Sequence, residues 1–364
     1  GTVVKSSGTG TSGFQNNGGT IAFNNAGDLA AQSGVLALSG FNQTGPGSLL
    51  LGAVTVFQGS GVSTDDLTVA NGASFTFTGG NHTLSATADF GGGGTIGLSE
   101  GTLNVAGTLT PSAFNIAGGT LNLAGTLTVD TMTWSGGATV NGLGTGRMDI
   151  PVGKTLNVTG AGSHTLDNIR VENAGTINYN TSTSVYDRLR MQNGAVINNA
   201  GVFDFKVNNY VDASGGTATF NNAGTVVKSS GTGTSGFQNN GGTFAFTNAG
   251  STLDSGTGTL NLPVLTNHSG AFTILGSNVR LSDNTHNFAA GSSVMGVLNL
   301  VGATVNFSET SVNGTLNYSS GALNILAGST LSLAADSAFN WSAGTTITSP
   351  GTGTAVLALA SGTV

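Results

Sequence analysis

The chain has 364 residues, of which 61 are Gly and 25 carry charge, 9 basic and 16 acidic. Charge at 7% where about 25% is usual, with 38% hydrophobic residues and 5 Pro, excludes a solvated disordered chain, a polyproline rod and collagen. Zero Cys excludes disulfides and thiolate or Cys-ligated metal chemistry, and a net charge of −7 argues against nucleic acid or an anionic membrane surface as partner.

Gly, Thr, Asn and Ser fill the positions where a helix wants Ala, Leu, Glu and Lys, so the elements are strands. No stretch approaches about 18 uninterrupted apolar residues, and no basic n-region with an apolar h-region opens the chain. Neither a membrane-inserted segment nor a signal peptide is expected here.

The opening segment 1–27, GTVVKSSGTGTSGFQNNGGTIAFNNAG, returns at 224–250 with two changes. WSGGAT at 134–139 returns as WSAGTT at 341–346, so the chain reads as a first repeat unit, 1–223, and a partial second unit, 224–364, continuous with it. Repeat arrays usually carry atypical caps. The lack of one at either end implies a segment of a longer array, or ends covered by neighbouring copies.

A shorter period runs beneath the long one. GTLNVAGTLT at 101–110 is followed by GTLNLAGTLT at 119–128, and Asn-Ala-Gly recurs at 173–175, 199–201, 222–224 and 248–250. Between these markers polarity alternates with period two: Phe203, Phe205 and Val207 face one way, Asp204 and Lys206 the other. Asn-Gly at 71–72, 141–142, 193–194 and 313–314 and Gly-Gly at 18–19, 79–80, 215–216 and 241–242 supply corners. The even spacing of Gly314, Gly321 and Gly328 sets the length of one side, and three sides fill one coil.

These features define an all-β fold, a right-handed parallel β-solenoid (β-helix) of about 16 coils of roughly 18–26 residues, with Asn side chains laddering at the corners. At about 4.8 Å per coil it would be a rod on the order of 75–80 Å long. An antiparallel hairpin sandwich is the alternative use of the same residues.

The segments GTLNVAGTLT, NNAGTVVKSSGTGT, GASFTFTGGNHTL and TMTWSGGAT resemble the giant Gly/Thr/Asn-rich tandem-repeat β-solenoids of bacterial surfaces, in the style of autotransporter passengers and filamentous-haemagglutinin adhesins. The resemblance implies an exported, extracellular, fibrous or adhesive protein. It brings no catalytic residues with it.

Several residues are candidate sites. Parallel β-helices include polysaccharide-degrading enzymes, which need clustered carboxylates or carboxylate-bound calcium with a basic partner. Asp65-Asp66 is the one adjacent acidic pair, with no basic residue or His within a dozen positions, so it reads as a solvated corner. His82, His164 and His286 sit in related contexts and His268 apart, as structural positions that duplicate with the scaffold. Asp212 and Asp283 are the candidate calcium oxygens, without the nonapeptide pattern of secreted β-rolls, and no other cofactor is expected. Thr-x-Thr at 108–110 and 126–128 forms two rungs of an ice-type ladder that fails at the next.

Arg147, Lys154, Arg170, Arg188, Arg190, Lys206 and Lys228 concentrate seven of nine basic residues between 147 and 228, a candidate contact zone between rods. Trp134 and Trp341 are the candidate glycan contacts. The expected function is a non-catalytic structural segment of a bacterial extracellular fibre or surface filament, assembling with copies of itself or adjacent repeats. An adhesin stalk or glycan-binding module is the alternative, and a polysaccharide-degrading enzyme the second.

Overall fold

A computed structural model describes residues 1–50, 55–342 and 344–362. Among these residues there are strands and no helix. The pairings are parallel, and each strand meets the strand about one coil further along the chain. The result is a parallel β-solenoid of about 16 turns, counted over two compact units, 1–176 and 177–364. Parallel pairing rules out the hairpin sandwich.

Within the first unit the sequence period and the structural rung coincide. Thr102, Leu103, Asn104 and Val105 pair in order with Thr120, Leu121, Asn122 and Leu123, their equivalents in the short repeat. The inward columns continue upward: Leu103, Leu121, Val140 and Leu166 follow one another, as do Ile96, Phe114, Met132 and Leu156. All eight side chains are buried. No coil can hide its apolar face alone; the next rung does it.

In the second unit Val294 and Val312 share a column, and Leu298, Leu316 and Phe339 another. The repeat boundary at 223/224 falls inside this unit. Strands on its two sides pair directly, Val202–Phe205 with Thr225–Lys228 and Tyr210–Asn222 with Gly242–Ala249. Rungs are longer here than at Thr102, one of them running from Thr225 to its partner Thr252. Extra residues leave at corners while the ladder register is kept.

Most strands are short and end at a corner, but some bend through one without breaking. Thr310–Ile325 runs 16 residues through Gly314 (φ 143°) and Gly321 (φ 101°). A Cβ on Gly314 would lie 2.2 Å from the Gly296 carbonyl oxygen, so both conformation and close approach require glycine there. The side chains expected at corners are partly elsewhere. Asn ladders run along strand faces: in the second unit Asn287 donates to Asn267 at 3.1 Å, and Asn306 and Asn324 each donate to the Asn below at 2.8 Å. Period-two alternation places an Asn at the same facing position of each rung, which corner geometry does not guarantee.

Candidate functional site

The seven basic residues of the 147–228 zone fall into different environments. In the first unit Arg147 pairs along its own strand with Asp149, and Arg170 with Glu172. In register, Arg147 sits beside Arg170 and Asp149 beside Glu172. Like charges on adjacent rungs repel. The pairing along each strand neutralises them locally, and Lys154 closes on Asp130 at 2.7 Å.

In the second unit Arg188 forms the most enclosed pair, with Asp212 at 3.1 Å. Asp212 has no exposed surface; its carboxylate also accepts from Asn240 Nδ2 at 2.8 Å, and Arg188 donates to Asn209 Oδ1 at 2.9 Å. The guanidinium lies over the Tyr210 ring, 5.7 Å from its centroid. Arg190 is half-buried in Leu189–Gln192, in register with Asp212. Lys206 meets Asp204 at 2.7 Å, and Asp204 is itself buried under Lys206 and Ser229.

Lys228 departs furthest from the expected outward zone. It is buried, donating from Nζ to Asn208 Oδ1 at 2.8 Å and to the Ser230 carbonyl at 2.7 Å, and burial lowers its pKa. Its strand position points inward by the two-residue alternation, and local carbonyls satisfy the ammonium. Arg147, Lys154 and Arg170 in the first unit and Lys206 in the second keep exposed side chains, whereas Arg188 and Lys228 are turned toward the interior of the second unit.

The two tryptophans separate as well. Trp134 is fully buried, in register with Ile116 and Val158 and edge-on to His164 at 5.3 Å, so no surface ligand reaches it. Trp341 is 53% exposed, stacked with Phe339 at 6.1 Å and hydrogen-bonded to Thr345.

All four histidines are buried. His82 Nε2 lies 3.1 Å from Ser63 Oγ among Phe41, Phe57 and Phe77, and desolvation lowers its pKa to about 4. His286 is lowered to about 4 by the same cause, and His268, stacked on Phe272 and Phe288, falls well below its ordinary value. Among the described residues no group of three or more His, Asp or Glu converges as a metal site. Asp212 is committed to Arg188 and Asn240, and Asp283 is an exposed corner residue at φ 50°.

Asp65 and Asp66 also have a structural task. Asp66 Oδ1 accepts from the Asp89 amide on the next rung at 2.8 Å. Asp28 accepts from the Ser48 amide at 3.0 Å and Glu309 from the Thr330 amide at 3.2 Å. Carboxylates that cap the backbone of the following rung are a use of acid residues that spacing alone did not reveal. The Thr-x-Thr rungs end as expected: Thr108 pairs with Thr126, and Thr126 with Arg147. No family model matches the chain, and no curated protein or solved structure matches it significantly.

Proposed function

We propose that the chain is a structural segment of a bacterial extracellular fibre or surface filament, non-catalytic, working by end-to-end assembly or as part of a long tandem array. The observation that carries this reading is the commitment of polar side chains to rung-to-rung bonding. Asn columns, backbone-capping carboxylates and enclosed ion pairs all spend their hydrogen-bonding capacity on the next rung. A catalytic site instead needs ionisable groups gathered and poised in a cleft. The near-identical repeat at 1–27 and 224–250, and the resemblance to bacterial tandem-repeat solenoids, support the same reading.

Negative-stain electron microscopy of the purified chain over a concentration series tests it. Filaments or end-to-end strings are expected; dispersed single particles at every concentration contradict it. A second reading, an adhesin stalk that binds glycans, is favoured by Trp341, whose exposed ring has the amphipathic face that sugars stack on. On a glycan array, binding lost in Trp341→Ala supports that reading, and absence of binding by the unaltered chain removes it.

A further inference from the structure

The first unit carries on its outward side a charge pattern that its own image can match. Arg147 and Asp149 stand two residues apart on Arg147–Ile150, and Arg170 and Glu172 two apart on Arg170–Asn173. Strand alternation turns all four outward, while Met148, Ile150, Val171 and Asn173 beside them are buried. The strands pair in register, Arg147 on Arg170 and Asp149 on Glu172. The face therefore shows a basic column and an acidic column, about 7 Å apart, running from rung to rung.

Each rung is a small dipole closed by its own ion pair, with Arg147 Nη2 donating to Asp149 at 2.6 Å and Arg170 meeting Glu172. The two dipoles lie side by side and point the same way. Like charges are then nearest neighbours across a gap of about 4.8 Å, an arrangement that an opposite pattern laid against the face would relieve. The rung before is uncharged at these positions, where Thr126 and Thr128 pair with Arg147 and Asp149. Water reaches both columns: the Arg147 and Arg170 side chains are 53% and 63% exposed, and both acids are partly exposed.

The pattern is self-complementary in one orientation. A copy turned about a two-fold axis parallel to the stacking direction of the rungs exchanges the two columns and keeps the rung order. Arg147 then faces the partner's Asp149, Arg170 faces the partner's Glu172, and the reciprocal pairs follow by symmetry. Turned instead about an axis along the strands, the copy would set basic column on basic column and acidic on acidic.

We propose that the face formed by Arg147, Asp149, Arg170 and Glu172 is a lateral contact between two copies of this chain, with the rungs of both stacked in the same direction. Exposed ion pairs act on orientation and encounter more than on affinity, so the contact is weak between single chains. It gains strength where several such faces are held on one chain. The contact is side to side, does not depend on end-to-end assembly, and goes beyond the reading above.

Fluorescence-detected sedimentation of the full chain and three variants tests the proposal. The unaltered chain is expected to dimerise at about 20 mM salt and to lose about tenfold or more in association constant at about 500 mM. Arg147→Glu with Arg170→Glu makes both columns acidic, and Asp149→Lys with Glu172→Lys makes both basic. Each of these is expected to associate with itself about tenfold more weakly or worse, and an equimolar mixture to recover the loss, which also shows that both are folded. A chain with all four charges reversed keeps its net charge; it is expected to dimerise with itself and not with the unaltered chain. No dimer of the unaltered chain at low salt, association indifferent to salt, a mixture no tighter than its components, or mixed dimers of reversed and unaltered chains each overturn the proposal. Filaments without these dimers remove the lateral contact and leave end-to-end assembly standing; the dimers without filaments do the reverse.

Discussion

His82 shows how a buried titratable group sets a pH response without any chemistry. Its imidazole sits among phenylalanine rings with a pKa lowered to about 4, below the ordinary 6.5. Between those values the unfolded chain holds a proton that the folded chain does not, so stability falls as pH drops from about 6.5 to about 4 and levels off below. The loss from this one residue is about 3 kcal/mol. His82→Phe should remove about one proton from the acid-unfolding slope in that window, measured by denaturant titration at several pH values; an unchanged slope contradicts the assignment. Asn222 makes a second case. It accepts from Asn199 at 2.8 Å and donates to Asn248 at 3.0 Å, all three buried. Asn222→Ala removes one bond from each of two buried partners, Asn199 and Asn248, which keep bonds to the Thr225 carbonyl and the Ser251 hydroxyl, and should cost about 1–3 kcal/mol, more than Asn306→Ala on the half-exposed column. Equal costs would mean that burial is not what makes the inner ladder matter.

Elements are shaped by two demands, columns that stay apolar and corners that turn tightly. Gly314 meets both a positive φ and a backbone approach, so Gly314→Ala should cost about 2–4 kcal/mol. Gly328, at φ 75° with open space around it, should cost about 1 kcal/mol. Chemical denaturation of both variants checks the contrast. Trp134→Ala opens a cavity beside His164 and should cost about 3–5 kcal/mol, while Trp341→Ala should change stability by less than about 1 kcal/mol. Alternation and the short repeat made the strands, their inward faces and the parallel stacking legible, because pattern and rung coincide at Thr102 and Thr120. The basic cluster at 147–228 was legible only as composition. Whether a basic side chain points in or out depends on one-residue phase, and on local carbonyls such as Ser230 that can satisfy it inside, which is why Lys228 was misplaced. The corner carboxylates were invisible for a related reason: their partners are backbone amides a full rung away, and amides leave no mark in sequence.

At the scale of the molecule, each unit is held by contacts between neighbouring rungs, with no centre on which all rungs depend. That construction suits transmission of load along a ladder, and it makes a mechanical prediction for the chain pulled from its two ends. Rungs as short as the one from Thr102 to Thr120, and as long as the one from Thr225 to Thr252, should peel off one or two at a time. Each released rung adds about 60–90 Å of contour length. Single-molecule force extension of the full chain measures this directly. A succession of releases of one or two times that length is the result expected of a rung-by-rung solenoid, whereas one event freeing most of a unit, or smooth extension without steps, would contradict it.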